Sequence, residues 1–437
     1  MSSFSLSVFS KLFVMKILVI GGGGREHALC RAFKTSKKVD KIYCADGNAG
    51  IARIAECVDI KPSEIERLAD FAEEKKIDLT FVGGEIALAL GVVDVFEKRG
   101  LKIIGASGAA ARLEASKSFA KDFMRRHRVP TAEYRTASSV AEAIEILNSG
   151  KFGDAETAVV VKADGLAAGK GVVVAENRRQ AENAVNELEN LAGKNAAEKI
   201  VLEECLTGRE VSLLLFADGK NFAVMPPARD HKRIGENDTG ANTGGMGVIS
   251  DENLLSPEQI AEVVEKIIKP TLDGARQDGF EFRGVLFLGL MLTANGIKVL
   301  EYNVRFGDPE TQAILVRLET DFVEICEAIT GQTLDKLTVK WKKGSSVCII
   351  LAAKNYPQKP QTGDVIKGLD NAESSEQIFV FHGATAKNEN GEFVTSGGRV
   401  LSVTATADNL ENALDKAYKA VGEINFEGMQ FRRDIGK

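Results

Sequence analysis

One short stretch carries three side chains whose types suit metal and phosphate chemistry. Residues 298–310 read KVLEYNVRFGDPE, a strand followed by a turn. Because residues two apart on a strand point to the same face, Glu301, Asn303 and Arg305 share one side. Carboxylate and amide oxygens are ligands that Mg²⁺ accepts, and a guanidinium pairs with phosphate. The stretch therefore predicts a metal and phosphate site, with an edge strand bearing a polar, solvated face as the alternative.

A glycine-rich loop near the N-terminus is a second candidate for phosphate binding. Residues 21–24 are four glycines between a strand, KILVI, and a helix that begins REHAL. The dinucleotide pattern G-x-G-x-x-G fails, because its third glycine falls on Glu26 or His27. Free amides at a helix N-terminus still bind a single phosphate, and Arg25 adds a positive charge. A purely structural tight turn is the alternative.

A second glycine-rich segment, ADGLAAGKG at 163–171, lies between two strand-like runs. It is not a Walker loop, because only three residues separate Gly165 from Gly169, and Gly171 stands where a Ser or Thr should bind the metal. The segment predicts a hairpin lid whose amides and Lys170 cover phosphates, or else a flexible hairpin tip.

A long polar stretch, residues 226–247, interrupts the regular alternation of the chain. Loops of this length in compact domains are usually functional or disordered. Asp230, His231, Lys232 and Arg233 together suit an anionic or zwitterionic substrate. A solvated charged loop is the alternative.

Two further segments carry charges at suggestive positions. Glu203 and Glu204 end a strand, where they suit hydrogen bonds from an adenine amino group or a ribose, or simple exposure. A helix predicted over 113–128 places Lys117, Lys121 and Arg125 on one face, which is usually a solvated face.

These segments must be positioned by a regular framework. Strand-like runs at 16–20, 41–46, 78–83 and 101–106 alternate with helical stretches. This pattern predicts an N-terminal doubly wound parallel sheet, with ligands beyond the carboxyl ends of its strands. After about residue 331 the pattern becomes mostly antiparallel.

Composition limits the function classes. The 437 residues suffice for two to four domains, and the net charge of −6 gives no general attraction to nucleic acid or an anionic membrane. No apolar run approaches the roughly 18 residues of a membrane span. Six scattered cysteines without a C-x-x-C pair fit reduced thiols in a cytoplasmic protein better than a disulfide framework or zinc site. Residues 1–14 are expected to be a disordered leader or to reflect an upstream start codon.

Taken together, the motifs resemble those of the glycinamide ribonucleotide synthetases (phosphoribosylamine–glycine ligases), which are ATP-grasp enzymes of purine biosynthesis. The ordered set covers residues 15 to 437. The matching stretches are KILVIGGGGREHAL (16–29), LEASKSFAKDFM (113–124), VVKADGLAAGKGV (160–172), LEECLTGREVS (202–212), RDHKRIGENDTGANTGGMG (229–247), VLEYNVRFGDPETQ (299–312) and SGGRVLSV (396–403).

The resemblance implies an α/β and α+β multidomain chain. After the leader, the expected units are a Rossmann-like substrate domain (15–116), an ATP-grasp small lobe with its lid (117–208), an ATP-grasp large lobe with the metal site (209–335) and a small, mostly antiparallel C-terminal domain (336–437).

The resemblance also implies residue roles. The expected metal ligands, for Mg²⁺ or Mn²⁺, are Glu301 and Asn303. The expected catalytic residues are Arg305, Asp230 and Lys232. The expected ATP-binding residues are Lys117, Lys162, Gly165, Gly169, Glu203, Glu204, Cys205, Leu206, Glu210 and Asn242. The expected substrate-binding residues are Gly22, Gly23, Gly24, Arg25, Glu85, His231, Arg233 and Asp308.

The implied reaction joins glycine to 5-phospho-β-D-ribosylamine at the expense of ATP, through glycyl phosphate, and gives glycinamide ribonucleotide. The implied partners are these small molecules, with no nucleic acid and no membrane, and the implied state is a monomer. Another ATP-grasp carboxylate–amine ligase is the first alternative. A nicotinamide oxidoreductase is the second, against which the failed glycine spacing argues.

Overall fold

The structure, a computed structural model, describes residues 14–167, 171–194, 197–375 and 377–437, so the predicted leader lies outside it except for Val14. The N-terminal unit is a five-stranded sheet of order β3-β2-β1-β4-β5, parallel throughout, which confirms the predicted doubly wound fold. Its strands are β1 (Met15–Gly21), β2 (Val39–Asp46), β3 (Glu56–Val58), β4 (Leu79–Val82) and β5 (Ile103–Ile104). Its helices are α1 (Gly24–Lys34), α2 (Ile65–Lys75), α3 (Glu85–Ala89), α4 (Val92–Lys98) and α5 (Gly108–Ala115).

The second unit is an antiparallel sheet of order β6-β9-β7-β8 with helices packed on it. Its elements are β6 (Tyr134–Ala137), β7 (Val159–Ala163), β8 (Val172–Ala175), β9 (Ile200–Glu204), α6 (Lys117–Arg126), α7 (Val140–Asn148) and α8 (Arg178–Ala192).

The single helix predicted over 113–128 is wrong. Ser116 adopts an extended conformation (φ −136°, ψ 111°) between α5 and α6, and its hydroxyl accepts from the Phe119 amide to cap α6. Lys117, Lys121 and Arg125 all lie on α6, but their shared face is not solvated as a whole, because part of it packs into the protein. Lys121 is buried, whereas Arg125 is exposed.

The third unit carries the long antiparallel strands. Its strands are β10 (Arg209–Asp218), β11 (Phe222–Val224), β12 (Ala228–Asp230), β13 (Arg233–Gly235), β14 (Thr239–Asn242), β15 (Gly247–Ser250), β16 (Arg283–Thr293) and β17 (Gly296–Asn303). Its helices are α9 (Pro257–Val263), α10 (Lys269–Gln277), α11 (Glu310–Leu315) and α12 (Phe322–Gly331). A π-helical turn, Val264–Ile268, joins α9 to α10.

The last unit continues the same sheet. Its elements are β18 (Ser345–Ala352), β19 (Ile378–His382), β20 (Thr385–Lys387), β21 (Phe393–Thr395), β22 (Arg399–Ala407), α13 (Leu369–Ala372) and α14 (Leu410–Glu423). The order β17-β16-β10-β12-β15-β18-β22-β19 runs without interruption from the third unit into the fourth, through the β15–β18 pairing. The third and fourth units therefore share one continuous sheet.

A buried aromatic cluster joins the N-terminal sheet to the large sheet. Phe306 lies 6.0 Å from Phe81 of β4 and 5.9 Å from Phe216 of β10, measured between ring centroids. Phe33 and Phe322 pack against the same group. Since Phe306 directly follows Arg305, this packing fixes the backbone at the C-terminal end of the first candidate site. Among the described residues, no helix is both long and apolar enough to cross a membrane.

Candidate active site

The polar residues of the opening motif occupy one face, as expected from strand geometry. Tyr302, Val304 and Phe306 are buried, whereas the intervening Glu301, Asn303 and Arg305 are partly exposed. The strand β17 ends at Asn303, so Arg305 lies just beyond it. The alternation persists past the strand because Phe306 is anchored in the aromatic cluster.

Arg305 lies between two carboxylates from the N-terminal unit. Its Nη2 is 2.8 Å from Oε1 of Glu114, and its Nε is 3.3 Å from Oε2 of Glu85. The second oxygen of Glu114 accepts the Val304 amide at 2.8 Å. Burial raises the pKa of Glu114, whereas Arg305 and Arg25 outweigh the burial of Glu85 and lower its pKa. The motif LEASKSFAKDFM contains Glu114, but the sequence reasoning gave it no role because it lies inside a helix.

Positive charges converge on Glu301. Burial opposes the ionised form of this carboxyl, but Lys232, Lys162, Lys117 and Arg305 outweigh it and hold its pKa below the ordinary value. Lys117 begins α6, and its ammonium donates to the carbonyl of Gly165 at 3.1 Å. Gly169 and Lys170 of the predicted lid lie outside the described residues.

Glu203 does not present a free carboxylate to the cleft. It is 2% exposed, and its two oxygens contact the ammonium groups of Lys121 at 2.7 Å and Lys162 at 2.8 Å. The adjacent Glu204 pairs with Lys298 at 2.7 Å. Both side chains are thus engaged in ion pairs, and their contact with adenine or ribose stays a prediction. Cys205 and Leu206 follow in the loop before β10.

The segment around β12 presents alternate side chains to the cleft. Asp230, Lys232, Glu210 and Glu301 line one small pocket beside β16. Lys232 pairs with Glu210 at 2.8 Å. Burial, followed by repulsion from the neighbouring Glu310, raises the pKa of Asp230 well above its usual range.

His231 points the other way, toward Gly247 and Gly436, and its substrate contact stays a prediction. Its Nδ1 lies 3.1 Å from the carbonyl of Gly247, and its Nε2 accepts the Gly436 amide at 3.1 Å. Burial lowers the pKa of His231 to about 4, so the ring is neutral at pH 7. Consecutive residues of an extended chain face opposite sides, which explains why only Asp230 and Lys232 reach the pocket.

Arg233 and Asn242 pair in the β13–β14 hairpin. The Arg233 guanidinium donates to the carbonyl of Gly240 at 2.7 Å, within the hairpin rather than toward a substrate. Asn242 is partly buried at the end of β14. The hairpin is anchored by Arg432, which pairs with Asp238 and Asp434 at 2.7 Å each.

The C-terminal unit contributes a residue that the sequence reasoning missed. Arg399, at the start of β22, pairs with Asp308 at 3.3 Å and donates to its carbonyl at 2.7 Å. It also donates to the Gly244 carbonyl. The motif SGGR, already part of the recognised set, was the available signal. Arg399 and Asp308 together bring the glycine-rich tail to the edge of the cleft.

The glycine loop is held tightly against the end of β2. A Cβ on Gly22 would lie 2.5 Å from the carbonyl oxygen of Gly47, so only glycine fits there. Asn48 donates to the Gly22 carbonyl at 2.9 Å. Glu26 accepts the Gly23 amide at 2.7 Å and the Arg25 guanidinium at 2.6 Å. One loop amide is thus already engaged, and Gly24 begins α1 at the cleft.

A protein-only metal cluster is not part of this arrangement. The described ranges contain no group of three or more His, Cys, Asp or Glu side chains able to hold a metal ion. A metal at Glu301 would therefore need oxygen ligands from its substrates, which is how proteins commonly hold Mg²⁺.

Sequence comparison gives matches along nearly the whole chain. The profiles of the phosphoribosylglycinamide synthetase N domain, ATP-grasp (A) domain and C domain match residues 15–114, 115–311 and 346–437. A phosphoribosylamine–glycine ligase of Haemophilus influenzae is 45% identical over 427 residues, or 97% of this chain and 98% of that protein. One from Caldanaerobacter subterraneus is 44% identical over 422 residues, or 96% and 99%.

Structural comparison agrees. The crystal structure of phosphoribosylamine–glycine ligase from Thermotoga maritima has a TM-score of 0.83 at 31% identity, covering 96% of this chain and 99% of that one. The biotin carboxylase domain of a Hydrogenobacter thermophilus carboxylase, solved with MgADP, has a TM-score of 0.71 at 18% identity, covering 96% and 92%. At that identity the likeness shows the fold alone.

Proposed function

The chain belongs to the phosphoribosylglycinamide synthetase family, and from this premise we propose how its cleft performs the ligation. The enzyme is an ATP-dependent phosphoribosylamine–glycine ligase of purine biosynthesis. It joins glycine to 5-phospho-β-D-ribosylamine and releases ADP and phosphate. The observation that carries the residue assignment is the convergence of Lys117, Lys162, Lys232 and Arg305 on the single carboxylate Glu301.

The lysines suit the ATP phosphates. Lys117 and Lys162 flank Glu301 from α6 and β7, and burial lowers the pKa of Lys117. A triphosphate placed among these ammonium groups would neutralise them, which favours its binding. The backbone of Glu204, Cys205 and Leu206 would receive adenine, because the Glu203 and Glu204 side chains are engaged in ion pairs. Gly165 and Asn242 would lie near the phosphates.

Glu301 and Asn303 fit a divalent metal, Mg²⁺ or Mn²⁺. The lowered pKa of Glu301 keeps a carboxylate available, and Asn303 presents an amide oxygen beside it, with Arg305 donating to that oxygen at 3.4 Å. When bound, the metal would neutralise phosphate charge during transfer. One carboxylate and one amide are a typical protein share for an ion whose remaining ligands come from phosphates and water.

Glycine fits the pocket between β12 and β16. Lys232 and Glu301 with its metal suit the glycine carboxylate, while Asp230 suits its ammonium group. The glycine carboxylate attacks the γ-phosphorus of ATP, which breaks its bond to the bridging oxygen, releases ADP and forms glycyl phosphate. The amine of phosphoribosylamine then displaces phosphate. No protein nucleophile is required, because the chain contributes alignment and charge neutralisation.

Phosphoribosylamine fits the opposite wall of the cleft. Gly22, Gly23, Gly24 and Arg25 lie at the N-terminus of α1, which favours an anion. Glu85 and Asp308 offer carboxylates near this wall, and Arg399 adds a further cation beside Asp308. The arrangement supports binding of the ribose phosphate by amides and arginines and of the polar ribosylamine by carboxylates.

ADP release measured with ATP, glycine and fresh phosphoribosylamine, omitting each in turn, tests the assignment. Full turnover is expected only with all three substrates and a divalent metal. Replacing Lys162 with Met should raise the KM for ATP without changing the KM for glycine. An unchanged KM for ATP would remove Lys162 from the phosphate site.

A further inference from the structure

Lys121 is a buried cation that the mechanism above does not use. It lies one helical turn after Lys117 on α6 and is only 2% exposed. Its ammonium lies 2.7 Å from Oε2 of Glu203 and donates to the Thr131 hydroxyl at 2.8 Å. Burying an unpaired ammonium costs several kcal/mol, so this side chain depends on Glu203.

Glu203 connects Lys121 to Lys162. Its other oxygen lies 2.8 Å from the ammonium of Lys162, which is 8% exposed and also 3.5 Å from the Leu300 carbonyl. Two cations therefore share one carboxylate, and the group Lys121–Glu203–Lys162 carries a formal charge of +1. Of the two lysines, Lys162 has the stronger electrostatic effect on Glu301.

We propose that Lys121 is a positioning residue for the ligase reaction, acting through Glu203 on Lys162. This inference rests on the assignment of Lys162 to the ATP phosphates made above. With Lys121 present, Glu203 is held from its far side, and Lys162 retains net positive charge toward the cleft. Without Lys121, the buried Glu203 carboxylate has Lys162 as its remaining lysine partner. Glu203 and Lys162 then form a closer pair that is neutral overall. Less positive charge therefore faces the phosphates.

Lys121→Met is the direct test. The KM for ATP should rise about tenfold, a coupling within the range for residues that share a partner, while the KM for glycine stays within twofold. Arg125→Met is the matched control, because Arg125 lies four residues further along the same helix and its side chain is 68% exposed. That control should leave both constants unchanged.

The double variant Lys121→Met/Glu203→Gln separates positioning from a plain structural ion pair. Neutralising Glu203 removes the carboxylate that would attract Lys162 away from the phosphates. The KM for ATP of the double variant should therefore be at least threefold lower than that of Lys121→Met. A lowered Tm with an unchanged KM for ATP in Lys121→Met would overturn the proposal. The proposal would also be overturned if the KM for ATP of the double variant rose by the product of the rises in Lys121→Met and in Glu203→Gln.

Titration gives a readout that a structural role would not move. The pKa of Lys121 is lowered to about 8. Burial lowers it most, Glu203 raises it and so offsets part of that effect, and Lys162 lowers it further. The KM for ATP of the natural protein should therefore rise above about pH 8, and Lys121→Met should lack that component. Lys117 and Glu301 face the same region in both proteins, so the comparison subtracts their titration. Identical pH profiles would contradict the proposal. If Lys162→Met leaves the KM for ATP unchanged, the phosphate assignment itself has failed, which is a distinct result.

Discussion

Two ion clusters flank the cleft, and their compositions are mirror images. On one wall, Glu203 lies between Lys121 and Lys162. On the opposite wall, Arg305 lies between Glu85 and Glu114. The first has a formal surplus of positive charge and the second a formal surplus of negative charge.

The difference suggests what each wall is built to meet. A cluster with excess lysine attracts a triphosphate, whereas a cluster of two carboxylates holds one arginine in a defined orientation. Arginine suits the second role because its planar guanidinium can contact two carboxylates in defined directions. Glu301 lies between the two clusters, where cations from both sides lower its pKa.

Removing the carboxylate that both clusters face should have the largest effect. Glu301→Gln should reduce kcat by about 10²–10³, since a single charge-stabilising group at a transition state is commonly worth that much. Its Tm should change by only a few degrees. Metal-dependent ADP release measures the loss. Glu281→Gln, a half-exposed carboxyl paired with Arg283, is the control that should keep full activity. Normal turnover in Glu301→Gln would exclude Glu301 from the metal site.

Breaking the carboxylate-rich cluster should affect both stability and activity. Arg305→Met leaves Glu85 and Glu114 without their shared cation, and a buried pair broken on one side typically costs about 3–5 kcal/mol. In the natural protein Glu85 has a lowered pKa, so its stabilisation exists above the unfolded-state pKa and is lost as the pH falls.

In Arg305→Met the pH dependence of stability should change. The pKa of Glu85 should rise, because Arg25 is then its remaining arginine partner, and the pKa of Glu114, which burial already raises, should rise further. Stability should therefore fall more steeply than in the natural protein as the pH rises from about 5 to 8. Tm measured across this range in both proteins checks the difference. If the Tm of the variant were lower than that of the natural protein by the same amount at every pH, the ionisation of the two carboxyls would not depend on Arg305.

A milder change should distinguish the two walls by substrate. Glu114→Gln keeps the size of the side chain but weakens its hold on Arg305 and on the Val304 amide. We expect a few-fold rise in the KM for phosphoribosylamine and no change for ATP, which is the opposite of the pattern expected for Lys121→Met. Steady-state kinetics with each substrate varied in turn measures both. Equal changes in the two constants would mean that the clusters do not serve separate substrates.

The smallest catalytic effect should come from a third cluster of similar composition. Arg432, almost fully buried, pairs with Asp238 and Asp434 beneath the β13–β14 hairpin. The bond from Arg432 lowers the pKa of Asp434 to about 2. Asp434→Asn should therefore lower Tm at pH 7, and the difference from the natural protein should vanish as the pH falls from about 4 to 2. Turnover should stay within twofold. A large loss of kcat would mean that the hairpin anchor acts on catalysis.

Much of the fold could be predicted because its signals are local. The alternation of strands and helices from Lys16 onward predicts the parallel N-terminal sheet, and the period of two in the opening motif predicts which of its side chains are buried. The helix over 113–128 was predicted as one piece because helical periodicity does not register a single serine. Ser116 breaks it by adopting an extended conformation and capping α6.

The functional site was predictable only in part, because only some of its signals are local in the sequence. Glu301 and Arg305 lie in a stretch whose alternation shows which side chains share a face. Glu114 and Lys121 also belong to a matching motif, but they lie inside helices, where charged residues normally face water. His231 belongs to the RDHKR motif, yet its neighbours in the sequence face the cleft and it does not. Which face a residue presents in an irregular loop depends on the packing of the C-terminal tail, through Gly436, some 200 residues away.

By itself, the sequence determined the family, the reaction and the set of charged groups, because these depend on residue types in a fixed order. Only the tertiary structure decided how those charges pair. Glu203 and Lys121 are more than 80 positions apart, and so are Glu114 and Arg305 and also Asp308 and Arg399. Electrostatic energy depends on distance and burial, which appear only when separate elements pack. The stretch 298–310 thus names a metal and phosphate site, while the fold determines which of its charges are free to act.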